Sequence, residues 1–177
     1  MKDTAELQET TPGVGKLTHK VDAKIGIPQK DTAKVAAILN QLLADQHVLY
    51  VKTRNYHWNV VGPSFMEYHL FFERLYNEMA ENIDEIAERV RSLGEHTVGS
   101  MAEYLAAANL KETKQPFNEP LKMAADLLHD HEWLCTWLRD QIDVIDTETK
   151  DTGTADFLTG ILEYHEKRSW MLRAYQG

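Results

Sequence analysis

From Asp31 onward, apolar residues recur every three or four positions through four long stretches, and no stretch alternates with the two-residue period of a strand. Such a chain buries its apolar stripes by laying helices side by side. The first stretch, about 31–60, turns Val35, Ile38, Leu39, Leu42, Leu43, Leu49, Tyr50 and Tyr56 inward. Gly62-Pro63 breaks it, and Ser64-Phe65-Met66-Glu67 reads as a capping box, in which Ser and Glu satisfy each other's backbone N–H groups. The second stretch carries Phe72, Tyr76, Met79, Ile83, Ile86 and Val90, and Gly94 ends it. Another capping box, Ser100-Met101-Ala102-Glu103, predicts a short helix over about 100–108. Pro116, Asn118 and Pro120 punctuate the start of a third long helix, about 119–146. Thr147 to Gly153 reads as a turn before a last helix, about Thr154 to Tyr175. The expected architecture is all-α: a four-helix bundle with a short extra helix in the connection between its second and third long helices. That connection, about 24 residues, exceeds what a tight antiparallel turn needs and suits a crossover.

The 177 residues suffice for one well-filled domain. Residues 1–30 mix Thr, Gly, Pro and Lys without apolar periodicity, so the expected organisation is a mobile N-terminal tail, 1–30, and a helical domain, 31–177. The apolar runs are too short to span a bilayer, which predicts no membrane partner. Met1-Lys2-Asp3-Thr4 leads into no apolar h-region, and the single Cys135 has no intrachain partner. Both point to a cytoplasmic protein with Cys135 as a buried thiol. The net charge is −9, with the tail at +1 and the body therefore at −10. An acidic body opposes nucleic-acid binding and accommodates cations.

His69 and Glu73 are four residues apart, as are Asp84 and Glu88, so each pair projects from one helical face. His57 lies on the inward stripe of the first helix, in register with Leu43 and Tyr50. Any one of these polar residues alone reads as a solvated rim or a satisfied core histidine. Together, two imidazoles and three carboxylates suit Fe(II) or Mn(II), with Zn(II) a further occupant. Glu73 and Asp84 are eleven residues apart, roughly 16 Å along a helix axis. One straight helix cannot close that gap. Two antiparallel copies related by a two-fold axis near Met79 would bring His69 and Glu73 of one chain to Asp84 and Glu88 of the other. Two separate weak sites would satisfy the same spacing. Di-iron bundles place Glu-x-x-His inside the bundle. No histidine here has Glu three residues before it, Asp126-x-x-His129 being the nearest match, so an intrachain di-iron centre is not expected.

Three segments carry a family resemblance: Lys52-Thr53-Arg54-Asn55-Tyr56-His57-Trp58-Asn59-Val60-Val61-Gly62, His69-x3-Glu73-x10-Asp84-Glu85-x2-Glu88-Arg89, and His165-Glu166-Lys167-x2-Trp170-Met171-Leu172-Arg173-Ala174. Over about residues 31–175 the chain resembles the Dps family, the miniferritins of starved bacterial cells. The resemblance implies a ferritin-like bundle and a hollow dodecamer with tetrahedral symmetry. It implies a ferroxidase that oxidises Fe(II), preferably with hydrogen peroxide and more slowly with O2, and stores the ferric product as mineral. By resemblance, His57, His69 and Glu73 come from one chain and Asp84 and Glu88 from its partner, with Glu88 the main bridging carboxylate and Trp58 close by. The family usually has Asp where this chain has Glu73, and the extra methylene displaces the carboxylate by about a bond length.

Family members admit iron through acidic three-fold pores. Asp146, Glu148, Asp151 and Asp156, around the last turn, are the pore candidates; an ordinary solvated turn with a helix cap is the alternative. Some members bind DNA through a lysine-rich tail. Here five tail lysines are interleaved with four acids, so DNA is expected to bind weakly. The rival function is a nucleoid DNA-compacting protein with a secondary metal site. His129, His131 and Cys135 suggest only packing.

Overall fold

The computed structural model describes residues 23–115, 117 and 119–177. Most of the expected tail, residues 1–22, lies outside the described residues, as do Pro116 and Asn118. Five helices make up the fold: α1 Gln29–Asn59, α2 Phe65–Ser92, α3 Met101–Ala107, α4 Pro120–Glu148 and α5 Thr152–Ala174. No strand occurs among the described residues. α1 packs chiefly on α2 and α4 on α5, while α3 rides on α1. The core is the four apolar stripes closed on one another: Leu39, Leu42 and Leu49 from α1, Phe72, Met79 and Ile86 from α2, Leu127, Leu134 and Leu138 from α4, Leu158 and Leu172 from α5, all fully buried.

The helix boundaries follow local chemistry. α1 starts two residues ahead of Asp31, with Pro28 in extended geometry before it. α2 ends in a Schellman arrangement: Gly94 has φ 80°, its N–H donates to Arg91 O, and Glu95 N–H donates to Val90 O. The Ser100–Glu103 box forms as expected, Ser100 Oγ accepting from Glu103 N–H and Ser100 N–H donating to Glu103 Oε2. The expected Ser64–Glu67 box does not form. Ser64 sits in the left-handed region at φ 58° rather than in the extended geometry of a capping residue, and makes no side-chain cap. The first turn of α2 is held instead by Phe65 N–H on Gly62 O and Tyr68 N–H on Ser64 O.

Two polar seams position the connections. Asp45 on α1, fully buried, accepts from the N–H groups of Asn109 and Leu110 at 2.6 and 2.8 Å, and Asn40 bonds both His96 O and Val98 N–H. These bonds pin the α2–α4 crossover along α1. Further along α1, Lys52 Nζ lies 2.6 Å from Asp130 and 3.2 Å from Asp126 on α4, and the Tyr56 hydroxyl donates to Asp126 at 2.7 Å. Burial raises the Asp130 carboxyl above the usual range, and the Lys52 ammonium acts against that rise. This seam fixes the rotation of α1 immediately before His57.

Candidate metal centre

His57 ends the buried face of α1 and His69 opens α2 on the other side of the Val60–Ser64 turn. The turn folds the two rings face to face, with centroids 3.8 Å apart and planes within 20°. Each ring is held by the other's backbone: His57 Nδ1 is 2.9 Å from His69 O, and His69 Nδ1 is 2.9 Å from His57 O. A carbonyl oxygen only accepts, so both Nδ1 atoms carry the proton and both Nε2 atoms keep a free lone pair. That is the tautomer a metal-binding imidazole needs, with the second nitrogen anchored to an oxygen acceptor. The stack continues on both sides. Phe65 lies over His69 at 5.1 Å, and Tyr76 meets His57 edge-on at 5.2 Å.

Trp58 projects from the same end of α1 and is 63 % exposed, with the Arg54 guanidinium 4.9 Å from its ring. Glu73 is half-buried one turn beyond His69, while Asp84 and Glu88 are exposed farther along α2. Within one chain, therefore, only His57 and His69 are brought together. Among the described residues no three His, Cys, Asp or Glu side chains converge as a group able to hold a metal ion. The helix stays continuous from Phe65 to Ser92, so the eleven-residue gap remains. Around the histidine pair the surface is apolar: Val61, Phe65, Met66 and Leu70 are all at least 40 % exposed.

The four acids near the last turn divide. Asp146 and Asp156 are exposed and border a surface cavity of about 470 Å³ between α4 and α5. Glu148 pairs with Lys34. Asp151 departs from the pore expectation: it is 2 % exposed, caps α5 by accepting from Thr154 N–H, and pairs with Arg89 at 2.8 Å. Its sequence signal, an acid just before Thr-x-Thr at a helix start, is that of an N-cap. His129 is exposed, but His131 is fully buried. Cys135 is half-buried rather than sealed in the core, and burial pushes its thiol up. In sequence Phe65 is only a helix start and Tyr76 only a stripe residue. The four-residue spacing Phe65–His69 was the available signal for the first ring. Tyr76 meets His57 across two helices and left no such trace.

The ferritin-like domain family matches residues 36–177. An uncharacterized low temperature-induced protein of Nostoc sp. is 48 % identical over 151 residues, covering 85 % of this chain and 84 % of the relative. DNA protection during starvation protein 2 of Bacillus anthracis is 38 % identical over 143 residues, covering 80 % of this chain and 96 % of the relative. Among solved structures, a Dps protein from Bacillus brevis superposes with a TM-score of 0.80 at 38 % identity, covering 84 % of this chain and 98 % of that one. A Dps protein from Vibrio cholerae O1, described as belonging to a broad superfamily of ferritin-like diiron-carboxylate proteins, superposes with a TM-score of 0.82 at 32 % identity, covering 90 % and 100 %.

Proposed function

Because the chain belongs to the Dps family of ferritin-like proteins, we propose that it is an iron-oxidising and iron-storing miniferritin whose metal sites form between two copies of the chain. The observation that carries this reading is the reciprocal lock of His57 and His69, which leaves two imidazole Nε2 atoms free side by side. Two imidazoles alone hold Fe(II) weakly, and hard carboxylates are needed to favour the ferric product. Glu73 supplies one from the same chain. A two-fold axis near Met79 supplies Asp84 and Glu88 from the second copy, and the exposed apolar rim around the site gives that copy a surface to cover.

In this assignment the residues hold two Fe(II) ions close together, so that two electrons leave as a pair. The pair reduces one hydrogen peroxide, with two protons, to two waters, and no hydroxyl radical is released. The ferric product is stored inside a hollow dodecamer, which removes both reactants that damage DNA. Iron is the substrate and cargo; Mn(II) and Zn(II) are competing occupants. Asp146 and Asp156, which remain exposed, are the proposed lining of the iron channel, with Glu148 released from Lys34 to join them. DNA binding by the tail is proposed to be weak and confined to low salt, because twelve copies of a −9 chain repel phosphate.

The test is a double substitution, His57→Ala with Glu88→Ala. It should reduce peroxide-driven Fe(II) oxidation to the buffer rate while the oligomer persists. A wild-type protein that consumes Fe(II) no faster than buffer would sink the ferroxidase reading. In the wild type, anaerobic loading with Fe(II) followed by peroxide should consume close to two irons per peroxide, as paired electron transfer requires.

A further inference from the structure

His131 of α4, His165 of α5 and Gln46 of α1 meet at the centre of the bundle, each 0 % exposed. Their polar atoms form one line. Gln46 Nε2 is 2.7 Å from His165 Nε2, and His165 Nδ1 is 2.8 Å from His131 Nδ1. A bond between two ring nitrogens needs one N–H and one lone pair, so two neutral arrangements satisfy the line. In the first, the Gln46 amide donates to His165 Nε2, His165 Nδ1–H donates to His131 Nδ1, and His131 keeps its proton on Nε2. In the second the amide is turned: His165 Nε2–H donates to the Gln46 oxygen and His131 Nδ1–H donates to His165 Nδ1. In both, His131 Nε2 has no partner.

The line has no place for added charge. One extra proton on His165 would find two acceptors, but the charge would be fully buried with no carboxylate bonded to it. A second proton would set two N–H groups head to head across 2.8 Å. The surroundings offer no relief. Arg168 on α5 is the fixed charge that both rings sense, and it is of the same sign. Glu78 on α2 is committed to Arg168 at 2.5 Å. Tyr164 on α5 and Cys135 one turn along α4 are neutral, their acidities weakened by burial. Asp45, beside Gln46 on α1, is turned to the crossover and holds the N–H groups of Asn109 and Leu110.

We propose that the Gln46–His165–His131 line is an acid-sensitive latch, holding α1, α4 and α5 together while both rings are neutral and opening the bundle when the medium would charge them. Burial, with Arg168 second, pushes His131 down to about 3; burial, then His131, then Arg168 push His165 well below its ordinary value. Both folded pKa values lie below the unfolded value near 6.5, so unfolding takes up protons once the pH falls under that value. The latch's contribution is present in full above about pH 6.5 and is lost progressively as the pH drops toward the folded values. Each ring adds about a tenfold rise in the unfolding constant per pH unit in that window. The latch does not depend on iron.

The full-length chain and a variant carrying Gln46→Leu, His131→Leu and His165→Leu are unfolded with denaturant at equal protein concentration from pH 7.5 to pH 5. Between pH 6 and pH 5 the wild-type unfolding constant should rise roughly 50-fold more than that of the variant. Parallel pH dependences would overturn the latch. A second measurement needs no variant. In wild type labelled with 15N-histidine, at least two of the eight imidazoles, those of His131 and His165, should keep neutral ring shifts at pH 5 while the chain stays folded. Eight rings titrating in the folded chain would overturn it as well.

Discussion

The molecule holds two histidine pairs, and their difference lies in what bonds the second nitrogen. In the outer pair each ring is fixed by a backbone carbonyl, so the fold consumes one nitrogen and presents the other. In the inner pair the rings bond each other and Gln46, and the one spare nitrogen is walled in. The outer rings sit where a helix ends and another begins, beside exposed apolar surface. The inner rings are fully buried at mid-helix. The same side chain is therefore held with one nitrogen open at a turn and locked as a packing element in the core, which its spacing in sequence does not reveal.

The largest expected effect comes from exchanging these roles. Removing the outer pair with His57→Ala and His69→Ala should abolish peroxide-driven Fe(II) oxidation. The Leu-substituted inner variant should oxidise iron at the wild-type rate at pH 7.5. If it lost most of that rate, the two pairs would not be separable.

Next comes the seam that sets the rotation of α1. Lys52→Met leaves Asp130 buried without its cation and should cost about 3–5 kcal/mol in denaturant unfolding. Arg139→Met, at an exposed pair with Glu166, should cost under about 1 kcal/mol. Smaller still, Phe65→Ala removes the ring over His69 and should weaken Fe(II) binding by about tenfold without changing stability at the core, measured by anaerobic titration. The smallest change is expected from Glu73→Asp, which restores the residue usual in the family and should alter Fe(II) affinity by about threefold or less.

Much of the fold was legible because helix periodicity and punctuation are local signals. Gly94 and the Ser100–Glu103 box ended and began helices as their chemistry requires. Ser64 misled because its pattern matches a capping box, but the preceding Gly62-Pro63 turn drives it into left-handed geometry. At the site, His57 and His69 could be picked out by type and position, but not their mutual carbonyl lock, which needs the turn between them. At Asp151 the sequence left a pore acid and a capped turn both open, because charge is visible in sequence and burial against Arg89 is not. The line through Gln46, His131 and His165 spans three helices and leaves no periodic trace.

The central claim is that one metal site takes ligands from two chains, and complementation tests it most directly. One chain carries His57→Ala and His69→Ala; the other carries Asp84→Ala and Glu88→Ala. Each alone should be inactive. Unfolded together and co-assembled at equal amounts, they form mixed two-fold pairs in which one of the two sites is intact, restoring about a quarter of the wild-type Fe(II) oxidation rate. A co-assembled mixture that stays at the buffer rate would contradict the shared site and place the ligands within a single chain.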